Sequence, residues 1–286
     1  MNTIWQLAHN RSLPLGPRAV IMGILNVTPD SFSDGGLHSS FVAAITQANT
    51  MLADGAAIID VGGESTKPNA EPVSAIEEQR RVLPVIEALA AIPDAIISID
   101  TYREETARLA VKAGAHIVND VWGLQREPGI ANVTAETGAG LCIMHTGRGR
   151  EVLDDRIEDQ RVFLRRSLDI AAKAGIRDEC VVLDPGFGFA KEETIVNVEL
   201  MVRFRELKDL AYPLMVGTSR KRFLGTITGR TAPERDVATA ASSAILRLAG
   251  ADIFRVHNVA FNRDALAVAD AMLAAKRAPG KPAARG

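Results

Sequence analysis

Cysteine is scarce in this chain of 286 residues. Only Cys142 and Cys180 occur, both within apolar runs and without Cys-x-x-Cys spacing, so they read as buried reduced thiols rather than a disulfide or a metal site. No stretch carries the ~18 uninterrupted apolar residues of a membrane helix. Residues 1–19 lack the charged, apolar, small-residue order of a signal peptide, and the expectation is a cytoplasmic protein. An excess of charge of one sign is missing too. Lys and Arg total 33 against 35 Asp and Glu, a formal net charge of -2, which gives no general attraction to nucleic acid or anionic membrane. There is no Gly-Lys-Ser/Thr of a nucleotide P-loop. With no Ser-His-Asp or Cys-His order and no obvious multi-ligand transition-metal cluster, covalent catalysis has little support.

What is present is a series of eight short apolar runs: Val20 to Asn26, Ala56 to Val61, Ala95 to Asp100, Ala115 to Asp120, Gly140 to His145, Cys180 to Asp184, Pro213 to Ser219 and Asp252 to His257. Each has strand length, and most are separated by a segment long enough for an amphipathic helix. Eight strands alternating with helices predict an α/β fold of the (β/α)8 TIM-barrel type in a single domain. Its site lies where the strands end. At 47% hydrophobic and 24% charged residues, the chain is an ordinary globular domain of barrel size.

The connections support this reading. Asp54-Gly55-Ala56, Ala113-Gly114-Ala115 and Ala249-Gly250-Ala251 share a form in which a glycine ends a helix and an apolar strand follows, and Ala174-Gly175 repeats the stop. Ser74-x-x-Glu77 and Thr101-x-x-Glu104 have capping-box spacing, and Pro233 fits the first turn of the seventh barrel helix. The segment Lys276 to Gly286, rich in Pro, Gly, Ala and basic residues, is expected to be a disordered tail.

The strand ends carry the chemistry. The loops Asn26 to Gly36 and Gly62 to Pro68 are polar and glycine-rich; the second offers backbone N–H groups, hydroxyls and an ammonium to an anion, although ordinary turns use the same residues. Asp100, Asn119-Asp120 and Asp184 end three runs and are expected near the barrel axis. Any one of them alone reads as a satisfied core group. Together, with no evident paired cation for each, they are costly unless a ligand supplies donors, and Asp plus Asn suits the edge of a guanine-like or pterin-like ring. Arg255 and His257 lie two apart on a strand and so share a face, and beside Lys221 they predict an anion site.

Met22 to Gly36, Asp60 to Thr66, Asp184-Pro185-Gly186-Phe187-Gly188-Phe189, Gly217 to Lys221 and Arg255-Val256-His257 together resemble dihydropteroate synthase, in register with all eight runs from residue 20 to about residue 270. The resemblance implies condensation of (7,8-dihydropterin-6-yl)methyl diphosphate with 4-aminobenzoate, giving 7,8-dihydropteroate and diphosphate in folate biosynthesis, with Mg2+ as cofactor and sulfonamides as mimics of 4-aminobenzoate. It places Asp100, Asn119, Asp184 and Lys221 around the pterin, with Arg255 near its face. Asn26 would help hold Mg2+ at the diphosphate, and Lys67, Arg255 and His257 would supply charge or donors there. Thr66, Pro68, Phe189 and Ser219 would form the 4-aminobenzoate side. The catalytic set is then Lys221, Arg255, His257 and Asn26. A pterin-binding barrel over 20–275 would follow an N-terminal extension, 1–19, and precede the tail; a homodimer formed through outer helices is implied as well.

Three positions depart from the family pattern. Lys67 stands where Arg is common, keeping charge but losing the bidentate fork. Met144-His145-Thr146-Gly147-Arg148-Gly149-Arg150 replaces the usual Met-His-Met-Gln-Gly, leaving the role of this loop open and a mobile segment as one reading. Ala190 replaces a frequent Gly. The alternatives are a corrinoid-dependent methyltetrahydrofolate methyltransferase, a non-catalytic pterin-binding paralogue and a Schiff-base aldolase using Lys221.

Overall fold

The computed structural model describes residues 3–28, 36–64 and 73–277. Strands β1 (Thr3–Gln6) and β2 (Ser12–Leu15) form an antiparallel hairpin. The barrel follows as β3 (Val20–Asn26), α1 (Gly36–Asp54), β4 (Ile58–Gly62), α2 (Ala75–Ala90), β5 (Ile96–Asp100), α3 (Glu104–Lys112), β6 (Ile117–Asp120) and α4 (Gly129–Thr137). It continues through β7 (Gly140–Met144), α5 (Arg156–Lys173), β8 (Val181–Asp184), α6 (Thr194–Val202), β9 (Met215–Val216), α7 (Arg222–Thr228), α8 (Asp236–Ala249), β10 (Ile253–Val256) and α9 (Val259–Arg277).

The eight strands from β3 to β10 pair in parallel in the order β8-β7-β6-β5-β4-β3-β10-β9. A parallel bridge between Leu183 and Leu214 joins the two ends, reinforced by Leu183 N–H donating to Pro213 O at 3.0 Å. The ring is the expected TIM-type barrel. Alternation along each strand then splits the core in two. Ile58, Ile96, Ile117, Cys142, Val182 and Ile253 meet inside the barrel, whereas their neighbours Ile59, Ile97, Val118, Leu141, Val181 and Phe254 join the cluster that includes the surrounding helices.

The hairpin plugs the end of the barrel opposite the strand termini. Trp5 is 1% exposed, packs with the inner cluster and donates its Nε1–H to Cys180 O at 2.8 Å. A Cβ on Gly140 would lie 2.5 Å from Leu7 Cδ2 and 3.1 Å from Trp5, so the plug's close approach requires glycine there. Neither cysteine is bridged and both are buried, Cys180 in a short 3-10 turn just before β8.

The glycine stops hold, with Gly55, Gly114 and Gly250 at φ of 107°, 116° and 111°. Ser74 caps α2 by accepting from Glu77 N–H at 3.2 Å, but the Glu77 carboxylate turns to Arg81 at 2.7 Å rather than closing a box. The box expected at Thr101 does not form. Arg103 is the N-cap of α3, Thr101 Oγ1 accepts from Arg103 N–H, and Glu104 N–H is taken by Glu127. Pro233 lies in a 3-10 turn leading into α8, inside a capping box of Thr231 and Glu234. Lys276 and Arg277 finish α9 rather than starting a tail, and 278–286 lie outside the described residues.

Candidate active site

Above the apolar floor of the barrel lies a polar layer. Asp60 on β4, Asn119 on β6, Asp184 on β8 and Arg255 on β10 each follow an inward-facing apolar residue by two positions, so alternation points them inward as well. Arg255 binds them together. Its Nε donates to Asp60 Oδ2 and its Nη2 to Asp100 Oδ2, each at 2.6 Å, while Asn119 Nδ2 donates to Asp60 Oδ2 at 3.2 Å. The expectation that these carboxylates lack a paired cation is therefore corrected for Asp100: Arg255 is that cation. Asp60 escaped the sequence reading, although an aspartate inside Ile58-Ile59-Asp60-Val61, at 0% exposure, is itself an anomaly that marks it. Asp60 Oδ1 and Ser98 Oγ are buried without a partner among the described residues.

Burial and charge compete here. Desolvation pushes Asp100 up to about 7, with Arg255 pulling down and Asp60 pushing further up. Arg255 keeps its proton, since the attraction of Asp60 and Asp100 outweighs its burial. Asp184 is raised by burial against the Gly186 N–H, which donates to its Oδ1 at 2.7 Å, and against Lys221. Asp120 is a second correction. It faces away from the axis and accepts from Trp122 N–H at 2.8 Å and Leu124 N–H at 2.6 Å, so it shapes the loop after β6 instead of lining the lumen.

Lys221 enters from the loop after β9. Its ammonium donates to Phe187 O and lies 3.9 Å from the centre of the Phe189 ring, and burial lowers it to about 7 against the pull of Asp184. Ser219 accepts from His257 N–H at 3.1 Å and its hydroxyl meets His257 Nδ1 at 2.9 Å. Burial, then Arg220 and Arg255, depress His257 to about 3. It is a neutral ring, with no partner for its Nε2 among the described residues. At the end of β3, Asn26 Oδ1 and Asp100 Oδ2 both lie 3.8 Å from where a Cβ on Gly62 would be, so glycine leaves a small space between two oxygens. Thr66, Lys67 and Pro68, and the Pro29–Gly35 part of the first loop, lie outside the described residues.

The loop after β7 is tethered, not loose. Arg150 donates to Asp159 Oδ1 at 2.7 Å and Oδ2 at 2.6 Å, and Arg148 lies over the rings of Trp122 and Phe189 at 5.7 and 5.0 Å. Ala190, in place of a usual Gly, adopts φ of 50°, a left-handed conformation costing an alanine roughly 1–2 kcal/mol.

An acceptor-lined lumen beneath a cationic rim, at the strand ends of an eight-stranded α/β barrel, is the arrangement of a pterin-binding enzyme. Residues 22–257 match the family described as "Pterin binding enzyme", and the chain belongs to it. It is 42% identical to the dihydropteroate synthase of Bacillus subtilis over 270 residues, 94% of each chain. Among solved structures, the dihydropteroate synthase of Xanthomonas albilineans with 4-aminobenzoic acid superimposes with a TM-score of 0.89 at 40% identity, over 97% of this chain and 100% of that one. The Yersinia pestis enzyme with a sulfonamide drug gives 0.86 at 39%, over 94% and 98%. Within its family the chain belongs to the dihydropteroate synthases, transferases of folate biosynthesis.

Proposed function

We propose that the barrel mouth binds (7,8-dihydropterin-6-yl)methyl diphosphate over the Asp60–Arg255–Asp100 layer and joins it to 4-aminobenzoate. The observation that carries this reading is the orientation of Asn119: its amide nitrogen donates to Asp60, which leaves its oxygen as an acceptor in the same inward layer as the Asp184 carboxylate, with β7 between their strands. Two acceptors match the amino and ring N–H donors of a pterin edge. Arg255, fixed by two carboxylates, offers a flat cation to the ring face. Lys221 lies where it can donate to the ring, and Phe189 and Ser219 border the arylamine, with Thr66 and Pro68 assigned to the same side by resemblance.

The chemistry asks for no covalent intermediate with the protein. Once diphosphate departs, the dihydropterin ring spreads the positive charge, and the neutral arylamine attacks without a strong base. The chain's contribution is to hold the two reactants in line and stabilise the departing charge. His257 supplies a neutral donor through Nε2, and Lys67 would supply charge. Mg2+ fits the donor set. Such an ion takes few protein oxygens together with substrate phosphates, and Asn26 Oδ1, beside the space that Gly62 leaves open, would be such an oxygen. When bound, Mg2+ neutralises charge on the diphosphate oxygens.

A homodimer and a cytoplasmic location complete the reading. The first is what the family resemblance implies, and Val237 on α8 and Val268 on α9, 74% and 64% exposed, are apolar side chains on the outer helices that such a seam would cover. No helix among the described residues is long and apolar enough to cross a membrane.

The deciding experiment incubates the protein with both substrates and Mg2+ and detects dihydropteroate, alongside calorimetry of the pterin on Asp184→Ala. Loss of a charge-assisted hydrogen bond of roughly 1.5–3 kcal/mol should weaken pterin binding tenfold or more. An unchanged affinity would remove Asp184 from the pocket. Product formation itself separates this reading from the methyltransferase, the silent paralogue and the aldolase.

A further inference from the structure

A buried lysine with a chain of polar partners, outside the barrel lumen, has no part in the chemistry above. Lys191 follows the Asp184–Phe189 segment and is 8% exposed. Its ammonium reaches Gly186 O at 2.9 Å, Phe189 O at 3.3 Å and His145 Nδ1 at 3.1 Å. His145 Nε2 in turn lies 2.8 Å from Asp159 Oδ2. Asn197 closes the same loop from α6, donating to Lys191 O at 2.9 Å and accepting from Gly188 N–H at 2.8 Å. The chain from Gly186 to Lys191 therefore folds around one ammonium group.

Placing an ammonium in the protein interior is costly, and an apolar side chain would fill the volume without that penalty. What a lysine adds is direction: it draws two carbonyls toward a single point. Between those carbonyls lies Phe187 O, the acceptor for Lys221, and on the second of them is the Phe189 ring that Lys221 faces. The N–H of Gly186, whose carbonyl Lys191 holds, is the donor that fixes Asp184 Oδ1.

We propose that Lys191 is a positioning residue for dihydropteroate formation: its buried ammonium sets the curvature of the Gly186–Phe189 loop and so fixes both Asp184 and Lys221. It acts through those two side chains, and the inference rests on their assignment to the substrate pocket. Behind the loop lies a cavity of about 220 Å³, lined by Lys191, His145, Gln160, Val196 and the outward-lying Glu192 and Glu193. The cavity borders the Lys191 side chain, so truncating that side chain would open the ammonium's position to small solutes in it.

That cavity supplies the test. Lys191→Ala and Lys191→Met are compared with the full-length protein in steady-state turnover with both substrates and Mg2+, at a temperature where urea melts show each variant fully folded. Misplacement of site groups by an ångström costs up to roughly a hundredfold in rate, so kcat is expected to fall about ten- to a hundredfold in both variants. Ethylammonium chloride should restore kcat severalfold in Lys191→Ala, whose hole it can enter. It should do nothing for Lys191→Met, whose side chain fills the hole. If Lys191→Ala does not fold, Lys191→Met alone decides by its kcat. A folded variant with kcat within twofold of wild type, or a folded Lys191→Ala that ethylammonium leaves unchanged, overturns the proposal. Lys221→Ala in parallel separates the two layers: retained turnover there removes the underlying site assignment, whereas loss there with wild-type kcat at position 191 defeats this inference alone.

Discussion

Arg255 reaches across β3 to pair with Asp60, Nε to Oδ2 at 2.6 Å, in an ion pair whose carboxylate is wholly buried. The same oxygen accepts from Asn119, so one aspartate orients both a cation and an amide of the pocket. Asp60→Ala leaves Arg255 with Asp100 but strands its Nε. Breaking a buried pair by removing one partner costs about 3–5 kcal/mol, and the retained Asp100 contact puts the expected loss near the lower end, ~3 kcal/mol. Urea melts should show this, and calorimetry should show weaker pterin binding in the fraction that remains folded. A variant as stable as wild type would mean that Asp100 alone satisfies the guanidinium.

How much of this site could be read in advance depended on where a polar residue fell in its run. Asp100 and Asp184 stop apolar runs, and a polar stop at a barrel strand's end is legible. Asp60 lies inside a run that continues through Val61, so the same chemistry passed as strand interior. The pairing of Arg255 with Asp100 spans 155 residues, and only the closure of the barrel brings them together. Thr101 has capping-box spacing without a capping box for a local reason: its hydroxyl accepts from Arg103 N–H, two residues on, which competes with capping. The hairpin is not legible in the sequence because each of its strands has four residues, too few for a period to show.

That hairpin should matter to stability and not to chemistry. Trp5 is 1% exposed at the closed end of the barrel, far along the strands from Asp100 and Asp184. Trp5→Ala opens a cavity and leaves Cys180 O without its donor, for an expected loss of roughly 3–5 kcal/mol. The Michaelis constants for both substrates should stay unchanged below the melting transition. A shifted constant for the pterin would show that the plug reaches the site through the barrel floor.

His116 gives a pH dependence that can be isolated. Its Nδ1 accepts from Ile97 N–H at 3.1 Å, and burial, with His9 and Arg11 nearby, lowers it from 6.5 to about 4. Between those values the unfolded chain binds a proton that the native protein does not, so stability is lost as pH falls through that window. Asp100 and Asp120, raised by burial, act in the opposite direction, so wild type alone is ambiguous. The informative quantity is wild type minus His116→Gln. That difference in unfolding free energy should be flat above pH 6.5 and shrink below it, by at most ~1.4 kcal/mol per pH unit. Urea melts at pH 7.5, 6 and 5 measure it, and a constant difference would show that His116 ionises as freely in the folded protein as in the unfolded one.

Two glycines of similar positive φ separate strain from function. Gly188 has φ of 75° and Gly138 has φ of 68°, so alanine at either should cost roughly 1–2 kcal/mol for the left-handed backbone. Their surroundings differ. A Cβ at 188 would meet Lys221 Cδ at 2.8 Å, whereas at 138 none of the described residues lies within 4 Å. Gly188→Ala must therefore push the Lys221 stem aside and draw its ammonium away from Phe187 O and the Phe189 ring. Turnover should fall roughly ten- to a hundredfold, the scale of a small misplacement at a site that works by alignment. Gly138→Ala, equally strained, should turn over as wild type does. Measuring kcat for the pair at matched folded fraction decides it: equal activities in the two variants would mean that the stem of Lys221 yields without moving its ammonium, and that the contact at Gly188 has no bearing on the reaction.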